Sequence, residues 1–190
     1  ALRMCRTANG VSELHGKVSR QMWTVLYPNR SEDTVPIGHI TNGVHAPTWT
    51  APLLADLYTQ YLGADWKNRA VDPAMWAQVD SIPDEEIWWR HQVLKERLIA
   101  HTRYKLKKAR TERGEEGDRI ASAEKLLDPK ALTIGFARRF SPYKRGDLIL
   151  RDEGRALKIF GSLDRPVQII FAGKAHPADE EGKRIIQRLM

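Results

Sequence analysis

The sequence predicts an α/β protein, with an incomplete parallel sheet and additional helical segments. Two apolar runs with β-propensity, Leu132–Ala137 and Val167–Ala172, alternate with helical patterns in the second half of the chain. Apolar residues at helical spacing dominate the first half. Strands that alternate with helices are typical of a parallel α/β unit. Because two strands alone would leave unpaired edges and uncovered faces, we expect further strands outside this sequence.

The composition is that of a globular chain that attracts anions. Of the 190 residues, 42% are hydrophobic and 29% are charged, and the net charge is +7. Such a surplus of positive charge favours the binding of anions of any kind, whether nucleic acid, acidic lipid or a phosphorylated ligand. The densest basic run, Arg103–Arg110, is interpreted as a solvated helical face rather than a binding surface. No apolar run could span a bilayer, so no membrane partner is expected, and the single cysteine, Cys5, agrees with a cytoplasmic location.

The first half of the chain is predicted to hold helices joined by shaped loops. Asn9 or Ser12 can cap a helix, whose apolar stripe would consist of Val11, Leu14, Val18 and Met22. Residues 27–35 should form a loop. A short apolar element, Ile37–Ile40, leads into a second loop at 41–49, where Asn42-Gly43 favours a turn with positive φ.

Longer helices follow. One is predicted over Ala51–Tyr61, whereas the tryptophan-rich residues 65–80 are ambiguous. Ser81 is a candidate cap for a helix from Asp84 to Arg110 with acidic residues in its first turn. Its inward face would consist of Ile87, Trp88, His91, Leu94, Leu98, Thr102 and Leu106. Residues 112–118 should be exposed and mobile.

A helix over residues 145–160 should join the two strands, and another should begin at Asp179. That last helix runs to Met190 without a capping glycine or proline. Together with the start at Ala1 and the incomplete sheet, this suggests an excerpt from a longer polypeptide.

Cationic side chains follow both predicted strands directly. Arg138, Arg139, Lys144 and Arg145 come after the first strand, with Tyr143 among them, and Gly173, Lys174 and His176 come after the second. Ligands of open α/β sheets gather at the carboxyl ends of strands. An anion there would meet guanidinium groups, an ammonium group and a helix N-terminus. Ordinary surface charge is the alternative interpretation.

Two further residues can bind a sugar hydroxyl as donor or acceptor. His15 lies one turn into its helix and Asn42 lies in the Asn-Gly loop. Taken alone, each is more often structural. No histidines or acidic residues show metal-ligand spacing, so no metal is expected. Neither a Walker or dinucleotide loop nor a nucleophile elbow is present.

Four segments in order resemble the glycogen and α-glucan phosphorylases of the bacterial and archaeal type. Asn9-Gly-Val-Ser-Glu-Leu-His15 resembles their NGVAxxH segment, and residues 41–49 resemble their TNGITPRRW loop. Residues 138–145 are similar to KRIHEYKR, and residues 173–177 are similar to GGKAAPG. Ser141-Pro142 departs from the common His-Glu pair, so no role is carried over to these two positions.

The resemblance implies part of a two-domain glycosyltransferase-B fold. Residues 1–40 would end the N-terminal glucan-binding domain, and residues 41–190 would begin the C-terminal Rossmann-like domain. It implies phosphorolysis of an α-1,4-glucan or maltodextrin by inorganic phosphate, with retention, to give glucose 1-phosphate. It also implies pyridoxal 5′-phosphate, whose Schiff-base lysine is not in this chain, so the fragment alone should be inactive. The full-length protein could form a homodimer.

The resemblance also assigns roles. Arg139 and Lys144 match the residues that bind the reacting phosphate, and His15 and Asn42 match those that bind the glucosyl 6-hydroxyl. Tyr143 matches a tyrosine near the sugar hydroxyls and the phosphate. Arg138, Gly173 and Lys174 lie in the vicinity of the cofactor phosphate.

Two other functions remain open at this stage. Another glycosyltransferase-B enzyme, such as a glycogen synthase that uses a nucleotide sugar, would share the fold, a helix-borne histidine and an Arg-Lys pair. A non-catalytic anion or nucleic-acid binding module would share the charge. Because no stacking aromatic residues are interleaved with the basic run, we expect no nucleic-acid partner.

Overall fold

The computed structural model describes residues 2–190, apart from the side chain of Arg3. The chain divides into two compact units, the first ending at Ser81 and the second formed by Ile82–Met190. Each unit contains one small parallel sheet, so the predicted α/β class with a parallel sheet is confirmed. The predicted domain boundary between residues 40 and 41 stays a prediction.

A two-stranded parallel sheet opens the first unit and supports a helix. Strand β1 (Asn9–Gly10) pairs with β2 (Gly38–His39), and helix α1 (Glu13–Trp23) packs against both. The contact requires glycine, because a Cβ on Gly10 would lie 2.4 Å from the backbone nitrogen of Gly16. A Cβ on Gly16 would in turn lie 3.0 Å from that of His39. The backbone of α1 therefore packs directly against the sheet, with no side chain between them at these glycines.

Ser12 is the cap of α1, since its hydroxyl accepts a hydrogen bond from the His15 backbone N–H at 3.1 Å. The other candidate cap, Asn9, lies in β1 instead. The predicted helix is confirmed, but its apolar stripe is exposed over the described residues: Val11, Leu14, Val18 and Met22 are all at least 42% accessible.

The connecting segments of the first unit contain short helical turns that the sequence reading missed. A 3-10 turn, Glu32–Thr34, lies in the predicted loop 27–35, and helix α2 (Ala46–Trp49) lies in the loop 41–49. The predicted positive φ at Asn42-Gly43 is wrong, because neither residue has a positive φ and Gly63 is the positive-φ glycine among the described residues of the first unit. A Cβ on Gly43 would meet no atom within 4 Å.

The ambiguous residues 65–80 build the core of the first unit. Helix α3 (Pro52–Leu62) confirms the predicted helix, and α4 (Pro73–Trp76) is followed by a 3-10 turn, Ala77–Ser81. Leu62, Trp66 and Met75 form a buried cluster. Tyr58 contacts Trp66 edge to face, with ring centroids 5.3 Å apart. Aromatic packing explains this segment, whose apolar residues follow neither the helical nor the strand period.

The second unit begins with a long helix, α5 (Asp84–Glu112). The predicted helix and its acidic first turn are confirmed, but the predicted cap is wrong. The Ser81 hydroxyl donates to the Gln78 carbonyl, and Pro83 precedes the helix without a side-chain cap. The predicted inward face is also partly wrong. Ile99 is the buried residue of α5, while Ile87, Trp88, His91 and Leu98 are exposed.

Basic side chains of α5 hold the segment that leads into the second sheet. Arg103 donates to the carbonyls of Leu126 and Leu127, each at 2.7 Å, and Lys95 donates to that of Ala131 at 3.3 Å. Lys107 pairs with Glu124. Within the basic run Arg103–Arg110, the interpretation as a solvated face is wrong for Arg103, which is only partly exposed and donates to two carbonyls, whereas Lys105, Lys107 and Lys108 are exposed as predicted.

The segment after α5 contains a partly buried acidic residue. Glu115 is only 16% exposed and lies within ion-pair distance of Arg110, Arg113 and Arg119. Helix α6 (Gly117–Ser122) and a 3-10 turn, Ala123–Lys125, follow directly. The predicted exposure of residues 112–118 is confirmed except at Glu115, whose carboxylate is surrounded by three guanidinium groups, and the predicted mobility stays a prediction.

Strands β3 (Leu132–Ala137) and β4 (Val167–Ala172) confirm the two predicted strands and pair in parallel, with Leu132 opposite Val167. The connecting helix is shorter than predicted. Two 3-10 turns, Pro142–Lys144 and Leu148–Leu150, precede α7 (Glu153–Phe160), which Asp152 caps. Helix α8 (Glu180–Leu189) begins as predicted, with Asp179 as its cap. In the part of the chain that the structure describes, no helix combines the length and apolarity needed to cross a membrane.

Candidate functional site

The carboxyl ends of β3 and β4 lie side by side. Beyond the strands, the Phe140 N–H donates to the Lys174 carbonyl at 3.1 Å, and Phe140 pairs with Ala175 as an isolated parallel bridge. The pairing thus continues through the two segments that carry the predicted cations. The sequence prediction that both basic strand ends belong to one sheet edge is confirmed for Arg138–Phe140 and Gly173–Ala175.

Buried Phe140 packs at this edge, where three glycines lie too close to their neighbours to carry a side chain. A Cβ on Gly146 would lie 3.1 Å from the Phe140 ring, and one on Gly182 would lie 2.4 Å from the Phe140 carbonyl oxygen. A Cβ on Gly173 would lie 2.0 Å from the carbonyl oxygen of Arg138. Of these glycines, the sequence reading singled out only Gly173. The other two adjoin charged residues, a context that gives no packing signal.

The loop after Phe140 is a tight 3-10 turn. The Lys144 N–H donates to the Ser141 carbonyl and the Arg145 N–H donates to the Pro142 carbonyl, both at 3.0 Å. Arg145 then adopts a left-handed conformation, with φ +52° and ψ +46°. Such a conformation costs a non-glycine residue about 1–3 kcal/mol. The turn sets the backbone from which Tyr143 and Lys144 project.

Arg139, Tyr143 and Lys144 form one cluster. The Lys144 Nζ lies 4.5 Å from the centroid of the Tyr143 ring. The pKa of Tyr143 is lowered, chiefly by a hydrogen bond from Lys144, then by the positive charges of Lys144 and Arg139 and a weaker hydrogen bond from Arg139. Tyr143 is 66% exposed, so a ligand could reach all three side chains.

The cations of this edge lack carboxylate partners. Within residues 2–190, no ion pair involves Arg138, Arg139, Lys144 or Lys174. Unpaired guanidinium and ammonium groups at one sheet edge fit an anionic ligand.

The predicted helix N-terminus does not contribute to this cluster. Helix α7 begins only at Glu153, so no helix follows β3 directly. In α8 the Gly182 N–H already has a partner, because the Asp179 carboxylate accepts from it at 2.8 Å. For the helix predicted from residue 145 that part of the prediction is wrong, and side chains supply the positive charge after β3.

In the first unit, His15 and Asn42 are held by one residue that the sequence reading missed. The Val11 N–H donates to Nδ1 of His15 at 3.0 Å, and the Val11 carbonyl accepts from the Asn42 backbone N–H at 3.0 Å. Both predicted sugar-binding residues are exposed. Because Val11 acts through its backbone, its side chain gives no signal of this role.

His45 and His176 make local contacts. His45 bonds to the Thr48 hydroxyl at 2.7 Å, and Nδ1 of His176 accepts from the Ala178 N–H at 3.1 Å. No group of three potential metal ligands occurs in the described part of the chain.

Comparison with known proteins finds relatives over the whole chain, although no protein-family model matches it. The chain is 43% identical over 189 residues to a glycogen phosphorylase of Aquifex aeolicus, and 41% identical over 189 residues to a glycogen phosphorylase of Mycobacterium bovis. It is 41% identical over 191 residues to a maltodextrin phosphorylase of Thermococcus litoralis. Each alignment covers all of this chain.

The chain is homologous to a segment of the glycogen and maltodextrin phosphorylases. The resemblance that four short motifs indicated is thereby confirmed over the whole sequence. The chain spans about a quarter of the length of these curated phosphorylases, 27% of the first and 22% of the other two. Every candidate site residue falls inside the aligned region, while the individual roles of these residues stay predictions.

Proposed function

We propose that this chain is part of an α-glucan phosphorylase, which cleaves an α-1,4-glucan with inorganic phosphate and releases glucose 1-phosphate with retention. The observation that carries this proposal is the cluster of Arg139, Tyr143 and Lys144, with no carboxylate partner within residues 2–190, in a phosphorylase homologue. The glycosyltransferase-B fold and the two-domain division at residues 40 and 41 belong to the same proposal. So do a cytoplasmic location and a homodimer.

Arg139 and Lys144 would bind the attacking phosphate. A guanidinium group can donate two parallel hydrogen bonds to phosphate oxygens, and an ammonium group adds a point charge. Positive charge develops on the sugar as the glucosidic bond breaks, so a phosphate held beside the anomeric carbon stabilises that transition state. The sheet edge provides such a site because its cations have no competing carboxylate.

His15 and Asn42 would bind the 6-hydroxyl of the glucosyl unit. Their shared attachment to Val11 supports this role, since it fixes the backbone of Asn42 and the ring of His15 relative to one residue. With Nδ1 accepting from Val11, neutral His15 carries its proton on Nε2, which can donate to a hydroxyl oxygen.

Pyridoxal 5′-phosphate would lie next to the reacting phosphate. Arg138 and Lys174 fit its phosphate, because both are exposed cations without a carboxylate partner in the described chain, and Gly173 lies against the Arg138 carbonyl. When bound, the cofactor supplies a phosphate group that can pass a proton to the substrate phosphate. Arg138 and Lys174 would hold that group by charge and hydrogen bonds.

The decisive test uses the full-length protein with maltodextrin and phosphate. Arg139→Ala and Lys144→Ala should each raise KM for phosphate and lower kcat, because a preorganised donor of this kind contributes about 3 kcal/mol. Lys105→Ala, which removes an exposed cation of α5, is the matched control and should leave turnover unchanged. His15→Ala should mainly raise KM for the glucan.

Two results would contradict the proposal. Full activity of Arg139→Ala would refute the phosphate assignment. Glucosyl transfer from a sugar nucleotide, without phosphorolysis, would identify a synthase instead.

A further inference from the structure

Two positions beyond the strand ends of the second sheet depart from the phosphorylase motifs in opposite ways. Ser141 stands where the KRIHEYKR motif has a histidine, and His176 stands where the GGKAAPG motif has an alanine. One segment has therefore lost an imidazole and the other has gained one. The two positions are far apart in the sequence, and only the pairing of the strands relates them.

That pairing places Ser141 directly opposite His176. The register of β3 and β4 still holds at the isolated bridge between Phe140 and Ala175. Ser141 follows Phe140 with extended backbone, at φ −151° and ψ 154°, so the same register carries over to the next pair of residues. Neighbouring strands lie about 4.8 Å apart. The imidazole that is absent at 141 is thus present on the other side of the strand pair.

His176 lies on the same face of the strand pair as two candidate phosphate ligands. Side chains of extended segments alternate between two faces. Because Phe140 is buried on one face, alternation places Arg139 on the other, with Lys174 opposite it in the register. His176 comes two residues after Lys174, on that same face and about 7 Å further along. All three polar side chains are exposed, so an anion between Arg139 and Lys174 is within reach of the imidazole.

The ring of His176 has one nitrogen in use and one free. Its Nδ1 accepts a hydrogen bond from the Ala178 N–H at 3.1 Å, so the neutral ring carries its proton on Nε2. Over residues 2–190, Nε2 makes no hydrogen bond and His176 has no carboxylate partner. The nearby Asp179 carboxylate accepts from the Gly182 N–H instead. The Nε2–H group is therefore available to a ligand.

We propose that His176 is a further phosphate-binding residue, whose Nε2–H donates to an oxygen of a phosphate group held at Arg139 or Lys174. It supplies from position 176 the imidazole that the KRIHEYKR motif has at position 141. Inorganic phosphate beside Arg139 and the cofactor phosphate beside Lys174 offer the same oxygen acceptors. This inference rests on the proposed function and adds a ligand that the resemblance does not assign.

Moving the imidazole back across the strand pair tests this inference in the full-length, cofactor-loaded protein. His176→Ala should raise KM for inorganic phosphate, and its Kd by calorimetric titration, about tenfold, because a hydrogen bond to a charged group is lost. Adding Ser141→His to that variant should restore most of both quantities. KM for maltodextrin should stay unchanged. His101→Ala, at an exposed histidine of α5, is the matched control and should behave as wild type.

Two further measurements separate the phosphate source and the local turn. If the contact is to the cofactor phosphate, His176→Ala should release pyridoxal phosphate faster on dialysis, and Ser141→His should slow the release again. His176→Asn keeps an acceptor for the Ala178 N–H but is too short to replace Nε2. It should therefore be as impaired as His176→Ala, and it decides alone if His176→Ala does not fold.

The inference is overturned if His176→Ala binds phosphate and retains the cofactor as wild type does, or if only KM for maltodextrin rises. It is also overturned if His176→Asn behaves as wild type, which would leave His176 with a role in the turn alone, or if Ser141→His restores neither quantity. Failure of the proposed function gives a different result, because the wild-type protein itself would then neither bind phosphate nor catalyse phosphorolysis.

Discussion

At the scale of single residues, neutral groups contact the candidate site residues. The Val11 backbone bonds to the His15 ring and to the Asn42 backbone, and the Lys144 ammonium group lies 4.5 Å from the centroid of the Tyr143 ring. Because none of these contacts involves a carboxylate, Lys144 keeps its attraction for an anion such as the phosphate proposed above.

The ionisation of Tyr143 should report on this cluster. The pKa of Tyr143 is lowered because Lys144 and then Arg139 favour the tyrosinate. Since the pKa is lower in the folded state, ionisation stabilises the fold at alkaline pH, and this contribution is lost as the pH falls through the folded-state pKa. In Lys144→Ala the pKa of Tyr143 should rise towards its ordinary value. Carbon-13 chemical shifts of labelled tyrosine, assigned with Tyr143→Phe, would measure it. An unchanged pKa would contradict the contact.

At the scale of elements, the site is the place where two parallel strands end together. Glycines allow the two strand ends to approach, and the pairing from Leu132–Val167 to Phe140–Ala175 keeps them in register. The close approach places Arg138 beside Gly173. Changes that separate the strand ends should therefore affect both local stability and phosphate binding.

Gly173→Ala tests this close approach. Its Cβ would lie 2.0 Å from the Arg138 carbonyl oxygen, a backbone atom that can move only with the strand. We expect a local destabilisation of about 1–3 kcal/mol, seen as faster amide exchange at Phe140, together with a higher KM for phosphate. Gly135→Ala in β3 is the control, because nothing lies within 4 Å of its added Cβ. Equal behaviour of the two variants would refute the packing argument.

Gln168 is the polar residue inside the apolar run of β4, and it has a structural task. Its Nε2 donates to the Asp128 carbonyl at 2.9 Å and to the Thr133 hydroxyl at 2.7 Å, and its Oε1 accepts from the Asp128 N–H at 2.7 Å. The side-chain amide of Gln168 therefore connects the segment that precedes β3 to β4.

Gln168→Glu keeps the shape of the side chain but removes the donor. Local stability around residues 126–134 should fall by about 1–3 kcal/mol, measured by hydrogen exchange of the corresponding peptides. Gln187→Glu, at an exposed position of α8, should change protection by less than about 0.5 kcal/mol. If both variants exchange alike, the amide contacts do not matter.

At the scale of the whole molecule, each unit has its own buried residues, and the basic residues differ in whether they make internal contacts. Leu62, Trp66 and Met75 form the core of the first unit, whereas Ile99, Phe140 and Ile185 are buried in the second. In the basic run on α5, Arg103 makes internal contacts, whereas Lys105, Lys107 and Lys108 are exposed.

Met75→Ala should affect the first unit selectively. Truncation of the buried Met75 side chain leaves a cavity, which lowers the free energy of unfolding by about 2–5 kcal/mol. Hydrogen exchange in the full-length protein should accelerate over residues 52–81 and stay unchanged over β3 and β4. Met22→Ala, at a position 62% exposed, is the matched control and should change neither region. Faster exchange of β3 and β4 in Met75→Ala would show that the two cores unfold together.

Short-range patterns were sufficient for much of this protein. It was possible to predict the strands, the long helix α5, the Ser12 cap and the four family motifs. Each of these features depends on residues that are close together in the sequence. The predictions failed where distant residues decide. The inward face of α5, the contacts of Arg103, the partial burial of Glu115 and the backbone of Asn42-Gly43 depend on partners that no local pattern specifies.

The sequence by itself determined the α/β class, the positive strand ends and the similarity to phosphorylases. Only the tertiary structure decided that Arg139, Tyr143 and Lys144 share one cluster, that Val11 holds both His15 and Asn42, and that α7 begins too late to add its N-terminus. The physical reason is that residue type decides which hydrogen bonds and charges a side chain can offer. The distances between these side chains depend on the parallel pairing of the strands and on the close backbone approaches at glycines.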